Sequence, residues 1–504
     1  MLYQTLCRDW PEGSFEMGAL VAVLNKRGED AVGTALAMVE AMNSNDSEAY
    51  GIASSTIVRT EGSLSILKKT NIESSTAVGY AFSKILPKDK PQPLKLEDAA
   101  MVFDGRLYPV ETAKPDAEIA AKKLEANLEQ AATVFVKKTN GDFAFAIAKP
   151  EKIITARDSM GVRPLYYGEN AEFAALASER KALWSIGMRE TASFPPGCVS
   201  LVERSGFKFT VARTITYSRP KRITMQTAAR RLRTLLEHSV RERVSGLKEV
   251  VIAFSGGLDS SIIASLAKKA GSNVILIHVS LENEPEVEYA KQAAEELKLP
   301  LYCYLHDEHE VLQTIPKVIG AIEEPQPVKV SIGIPIYWTA EKTAEMDFRV
   351  MLAGQGADEL FGGYKRYLDE YLGGGSEKAQ KAIFNDIIGM YEDNLERDSK
   401  ICNHLNVELR LPFATISMAK FAINLPLELK MERTSNTLRK LVLRRVAKDL
   451  LLPQSIVDRP KRAIQYTTGI NKALKKLAKQ EGVPMAEYFE KVFEKTFGEQ
   501  APHD

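Results

Sequence analysis

Apolar residues over the first two hundred positions fall in short runs broken by turn-forming clusters. Ala19-Leu-Val-Ala-Val-Leu24 is one such run, ended by Asn25-Lys-Arg-Gly28, and reads as a strand entering a turn. Phe143-Ala-Phe-Ala-Ile147 and Ile153-Ile154 are divided by Lys149-Pro150-Glu151-Lys152, which is hairpin spacing. Leu165 to Gly168 and Phe173 to Ala177 continue the series. Helical periodicity appears at Val32 to Met42 and at Asp116 to Lys138, the second carried by Ile119, Leu124, Leu128 and Val134. This pattern predicts an α+β region with packed antiparallel sheets.

The grammar changes after a polar, basic, proline-bearing stretch, Thr214 to Arg222. A helix over 227–243 leads to the apolar strand Val250 to Phe254, a glycine-rich turn and a helix over 260–270. Strand Val274 to Val279, helix 286–297 and strand Leu301 to Leu305 follow at the spacing of βαβ units. Such alternation predicts a parallel, doubly wound sheet that holds its ligand at the carboxyl ends of the strands. From about 365 onward the pattern is mostly helical. The chain therefore divides into an extension (1–16), a strand-rich domain (17–215) and an α/β domain (222–504).

Composition narrows the function classes. A formal net charge of +1 over 504 residues gives no general attraction to nucleic acid or anionic membrane. No run approaches the ~18 apolar residues of a membrane span, and the N-terminus lacks the basic-then-apolar layout of a secretory signal. The cysteines Cys7, Cys198, Cys303 and Cys402 are scattered, without metal-ligand spacing, and read as reduced thiols of a cytoplasmic protein.

Two motifs carry chemistry. Ser255-Gly256-Gly257-Leu258-Asp259-Ser260-Ser261 lies between a predicted strand and a predicted helix. Its glycines can turn backbone N–H groups toward a bound anion, its hydroxyls add donors, and the helix N-terminus adds a favourable dipole. Asp259 would repel bare pyrophosphate, so it reads as a ligand for an accompanying Mg2+. No lysine follows the glycines, which excludes a Walker A loop. The second motif, Gly354-Gln355-Gly356-Ala357-Asp358-Glu359-Leu-Phe-Gly-Gly-Tyr364, follows the apolar strand Val350 to Leu352. Its glycine spacing does not fit a dinucleotide fingerprint, and Asp358 and Glu359 suit a site facing a metal or a cationic group.

These two motifs, in this order and about a hundred residues apart, resemble the asparagine synthetase family. Arg397-Asp398, then Glu408-Leu-Arg-Leu-Pro-Phe413, Lys440 with Leu443-Arg444, and Arg459-Pro460-Lys461 resemble further family segments in the same order. The resemblance implies an ATP-pyrophosphatase domain that adenylates the side-chain carboxylate of aspartate and lets ammonia attack the acyl-adenylate. It implies ATP and Mg2+ as cofactors, small-molecule substrates and a homodimer. Ser255, Gly256, Gly257, Asp259, Ser260, Ser261, Gly354 and Gly356 would then hold ATP, and Asp259 and Asp358 the metal. Lys461, with Asp358 and Glu359, would serve the chemistry, Lys461 by stabilising charge developing on phosphoryl oxygens. Many family members carry Glu where this chain has Gln355, and a neutral amide cannot act as a base. A β-lactam-forming synthetase, another amidoligase or a non-catalytic regulator are the alternative readings.

Residues 17–205 resemble a class II glutamine amidotransferase domain of the N-terminal-nucleophile type, through Gly141 to Ile147, Ala156-Arg157-Asp158, Gly161 to Pro164, Ser178-Glu179 and Pro196-Gly197. The catalytic pieces depart from that pattern. The family begins its domain Met-Cys-Gly-Ile, with the cysteine as nucleophile; the matching stretch here is Met17-Gly18-Ala19-Leu20. The family's His-Arg-Gly-Pro-Asp run corresponds to Ser44-Asn45-Asp46-Ser47-Glu48, and its Asn-Gly-Glu to Asp104-Gly105-Arg106. An anionic Asp104 would oppose an oxyanion, and Asp116 alone is retained. The expectation is an inactive glutaminase half joined to an ammonia-using synthetase. The overall fold class is thus an α+β N-terminal-nucleophile-like sandwich followed by an α/β doubly wound ATP-pyrophosphatase domain with a helical C-terminal part.

Overall fold

The computed structural model describes residues 18–42, 47–111, 113–125, 127–434, 438–460 and 464–498. The strand-rich half stacks two antiparallel sheets. One runs Ala192–Ser193, Tyr166–Glu169, Phe173–Ala177, Ala19–Asn25, Thr76–Phe82, Ala49–Ala53, Val58–Glu61. The other runs Gly206–Val211, Cys198–Glu203, Lys152–Arg157, Asn140–Lys149, Ala100–Tyr108, Leu94–Lys95.

The run at 19–24 is apolar on both faces because both faces are covered. Leu20, Ala22 and Leu24 meet Ala144 and Ala146 of the second sheet. Val21 and Val23 lie under Val39 and Met38 of helix Val32–Met42. On the far side, Ala120, Leu124 and Phe135 cover Phe103, Phe143 and Phe145. The result is a four-layer helix–sheet–sheet–helix sandwich.

The single helix expected over 116–138 is two, Asp116–Leu124 and Leu128–Lys138. Asn127 sits between them at φ 44°, a left-handed geometry that asparagine tolerates better than most residues. Periodicity missed the break because Leu124 and Leu128 face the same core on either side of it.

The second half is built on a five-stranded, all-parallel sheet ordered Leu301–His306, Asn273–Leu281, Glu249–Ala253, Val350–Leu352, Glu408–Arg410. The helix expected over 286–297 spans Glu286–Leu297, and that expected over 227–243 spans Met225–Val244. Helices Glu308–Ile322 and Pro327–Glu345, and the short strand Glu408–Arg410, were not anticipated. Strand order reverses direction between Glu249–Ala253 and Val350–Leu352, which makes that gap the topological switch point where such sheets bind ligands. Beyond 365 the chain is mostly helical. No described helix is long and apolar enough to cross a membrane.

The two halves share buried contacts. Leu86, Met160, Val162 and Trp184 of the sandwich join the core of the second half. Buried Arg157 pairs with Glu396 at 2.9 Å, and Tyr166 donates to the same carboxylate at 2.8 Å.

Candidate active site

Both glycine motifs leave the sheet at the switch point, one after each flanking strand. The loop 254–257 leads into helix Leu258–Lys269, whose first turn carries Asp259. Gly256 has φ +64°, and a Cβ there would lie 2.9 Å from Ala290 Cα, so only glycine passes this point without strain. Arg459 donates to the carbonyls of Gly256 (2.9 Å) and Ser255 (3.3 Å) and pairs with buried Glu286. Those contacts fix the loop from behind, while Phe254 N–H donates to the Ile277 carbonyl (2.8 Å) and Gly257 N–H to Ser255 Oγ (3.3 Å). Ser255 and Ser260 line that cleft, their hydroxyls 3.4 Å apart. Ser261 does not: it is fully buried on the core side of the helix.

The second loop brings Asp358 to Asp259. Lys440 places its ammonium 2.6 Å from Asp259 Oδ2 and 2.8 Å from Asp358 Oδ1. Gly363 makes room for this trio, since a Cβ there would fall 1.7 Å from Asp358 Oδ1 and 2.5 Å from Lys440 Cε. Lys440 itself is held at φ +60°, a left-handed geometry that costs a non-glycine residue on the order of 1 kcal/mol. The buried Oδ1 of Asp259 has no hydrogen-bond partner among the described residues. Two converging carboxylates with an oxygen to spare fit the oxygen preference of Mg2+, which completes its shell with water and phosphate oxygens. The described residues contain no group of three or more acidic, histidine or cysteine side chains that could hold a metal ion, so among them this pair is what would be supplied.

The cleft encloses about 240 Å3. Apolar walls come from Ile277, Val279, Ile332, Ile336 and Met351. Glu359, also lining it, accepts from Tyr364 (2.5 Å) and Asn394 (2.7 Å). Burial, and then the charge of Asp358, push the Glu359 carboxyl above its ordinary value. Gln355 lies beside Asp398, which accepts from Arg397 Nε at 2.6 Å. Burial raises Asp398, so a second carboxylate at 355 would face an acid already disfavoured as an anion. The neutral amide thus suits its neighbour. Gly354 and Gly356 line the cleft beside these groups. Lys461 lies outside the described residues.

The sequence marks Asp259, Asp358, Glu359, Ser255, Ser260 and both glycine loops; the fold brings Asp259, Asp358, Glu359, Ser255, Ser260, Gly354 and Gly356 to one cleft, while Gly256 and Gly257 do not line it. In the sequence Lys440 and Arg459 stand out only as parts of a family pattern, and nothing there marks Glu286. No spacing rule flags a lysine that reaches its partners across 181 residues.

In the sandwich, the place expected for a nucleophile is full. A Cβ on Gly18 would lie 2.0 Å from the Tyr80 hydroxyl. The adjoining cavity holds about 40 Å3, room for a water or so. Its walls are lined by charges that pair with one another, with Asp104 Oδ2 left without a hydrogen-bond partner among the described residues. Arg106 grips Asp89 through two 2.6 Å contacts, Asp116 at 3.2 Å and Glu408 at 2.6 Å. Lys88 reaches Asp116 at 2.9 Å, and Arg163 lies 3.8 Å from Asp104 and 3.7 Å from Glu408. Burial alone would raise Glu408, but Arg106, Arg410 and Arg163 hold its carboxyl down at about 2. Asp104 is instead raised, burial outweighing Arg163 and Arg106.

With this geometry in hand, similarity to other proteins falls into place. The asparagine synthase family model matches residues 231–375 and 369–502, and a glutamine amidotransferase domain model matches 81–185. A putative glutamine-hydrolyzing asparagine synthetase of Methanocaldococcus jannaschii is 34% identical over 394 residues, 69% of this chain and 72% of that protein. A probable asparagine synthetase of Acanthamoeba polyphaga mimivirus is 29% identical over 66% of this chain and 62% of its own length. Asparagine synthetase 3 of Arabidopsis thaliana is 25% identical over 76% and 70%. Two independent grounds, a family model spanning more than half the sequence and a relative above 30% identity, agree: the chain belongs to the asparagine synthetase family.

Proposed function

We propose that this protein is an ATP-dependent carbon–nitrogen ligase that adenylates the side-chain carboxylate of aspartate, releases pyrophosphate and amidates the acyl-adenylate with free ammonia. Family membership supports the ligase. The observation that carries the finer reading is the convergence of Asp259 and Asp358, from two separate glycine loops, at the switch point of the sheet.

In this reading loop 254–257 and the start of helix Leu258–Lys269, with the hydroxyls of Ser255 and Ser260, bind the pyrophosphate end of ATP, and Arg459 holds the loop in place. Asp259 and Asp358 would hold Mg2+, which would supply counter-charge to the phosphates. The apolar walls receive the base and exclude water from the acyl-adenylate. Glu359, fixed by Tyr364 and Asn394, faces a substrate ammonium. Lys461 stabilises charge on the phosphoryl oxygens in the transition state.

Gly18 supports free ammonia as the nitrogen source. A glycine pressed against Tyr80 offers no nucleophile, and the charge-filled cavity behind it offers no room for glutamine. The test is ATP-dependent pyrophosphate release with aspartate, given ammonium in one reaction and glutamine in another. Asparagine formed with ammonium alone supports the whole reading. Turnover with glutamine refutes the inactive glutaminase half. Turnover with neither, but with another carboxylate from a panel, moves the assignment to a different amidoligase.

A further inference from the structure

Lys440 stands where a divalent ion would bind. Its ammonium takes one oxygen from each of Asp259 and Asp358, it is 2% exposed, and Gly363 clears the space it fills. The backbone at Lys440 is held left-handed, at φ +60°, to bring the side chain there. A strained residue aimed at two acids is a deliberate placement. With Lys440 in position, an incoming bare Mg2+ would set three positive charges against two carboxylates. A metal arriving with a polyphosphate brings its own negative charge, and those phosphates give the ammonium somewhere to go.

We propose that Lys440 is a built-in surrogate cation. It bars free divalent metal from the Asp259–Asp358 pair and yields only to metal that enters together with the nucleotide's phosphates, so metal and nucleotide load as one. The inference rests on reading Asp259 and Asp358 as the metal-binding pair, but not on which carboxylate is amidated.

The experiment titrates the full-length protein with Mn2+, a stand-in for Mg2+, and follows the free-ion EPR signal without any substrate turnover. Wild type should bind Mn2+ weakly alone, and at least about tenfold more tightly once a non-hydrolysable ATP analogue is added. Lys440→Met should bind Mn2+ without nucleotide at least about tenfold more tightly than wild type, because the competing charge is gone. Asp358→Asn added to Lys440→Met should abolish that gain. Should Lys440→Met fail to fold, Lys440→Gln keeps a hydrogen-bond donor to the acids and is read in the same titration. Equal Mn2+ affinity in wild type and variant overturns the proposal. So does a wild type indifferent to the ATP analogue, or a gain that survives Asp358→Asn. A protein that shows these affinities but amidates no aspartate keeps the proposal and loses the substrate assignment.

Discussion

Two places in this molecule gather carboxylates and cations beside the ends of strands, and they differ in what is left over. Around Arg106, the carboxylates Asp89, Asp104, Asp116 and Glu408 meet the cations Lys88, Arg106, Arg163 and Arg410, and only about 40 Å3 stays open. Around Asp259 and Asp358, one ammonium reaches both acids and about 240 Å3 stays open; each place also keeps a carboxylate oxygen without a hydrogen-bond partner among the described residues, Asp104 Oδ2 in the first and Asp259 Oδ1 in the second. Closure of the charge balance marks the first place as structure. Its incompleteness marks the second as a site.

That contrast can be broken by experiment, first where the effect is largest. Asp358→Asn should reduce the rate of pyrophosphate release with aspartate and ammonium about a thousandfold, since it strips a charged ligand from the reacting end. Thermal unfolding should change little. Arg106→Met should do the reverse. Leaving Glu408, Asp89 and Asp116 buried with fewer partners should cost about 3–5 kcal/mol of stability in urea unfolding. The two variants swapping these outcomes would erase the distinction.

Acid sharpens it further. Glu408 is held at about 2 in the folded protein and titrates near 4.3 when unfolded. Because its folded value is depressed, its contribution, about 3 kcal/mol, is fully present above pH ~4.3 and is lost as the pH falls toward 2. Unfolding followed against pH should show this acid limb in the wild type and a shallower one in Arg106→Met. The smallest effect belongs to Gly18→Cys, which overpacks Tyr80 by about 1–3 kcal/mol. Glutamate release from glutamine should stay at background, and measurable hydrolysis would show the pocket to be open after all.

The sequence made one of these places far more legible than the other. Glycines and acids at fixed spacing after apolar strands announce a loop at a strand's carboxyl end, and the fold puts both loops there. Nothing local announces Glu408-Leu409-Arg410 as a strand. Its charged ends suit a sheet because Glu408 pairs with Arg410 on the same strand and with Arg106, 302 residues earlier, across the interface. Asp104 and Arg106 could be read as departures from a catalytic pattern, but not as members of a network. Lys440 was hidden for the same reason: its role depends on a left-handed residue and a distant glycine, neither of which has a periodic signature. Long-range electrostatics, more than secondary structure, is what the chain does not spell out locally.

The Tyr80–Gly18 contact also bears on the history open to this chain. A cysteine restored at position 18 meets a phenol. A smaller residue at 80 still faces Asp104 where a neutral donor would be wanted. Reverting Arg106 strips Glu408, which belongs to the synthetase sheet, of its main counter-charge. Each backward step alone is a loss, and the gain arrives only when several are taken together. The filled pocket therefore works as a ratchet, in which no single reversal is favoured until the others are in place.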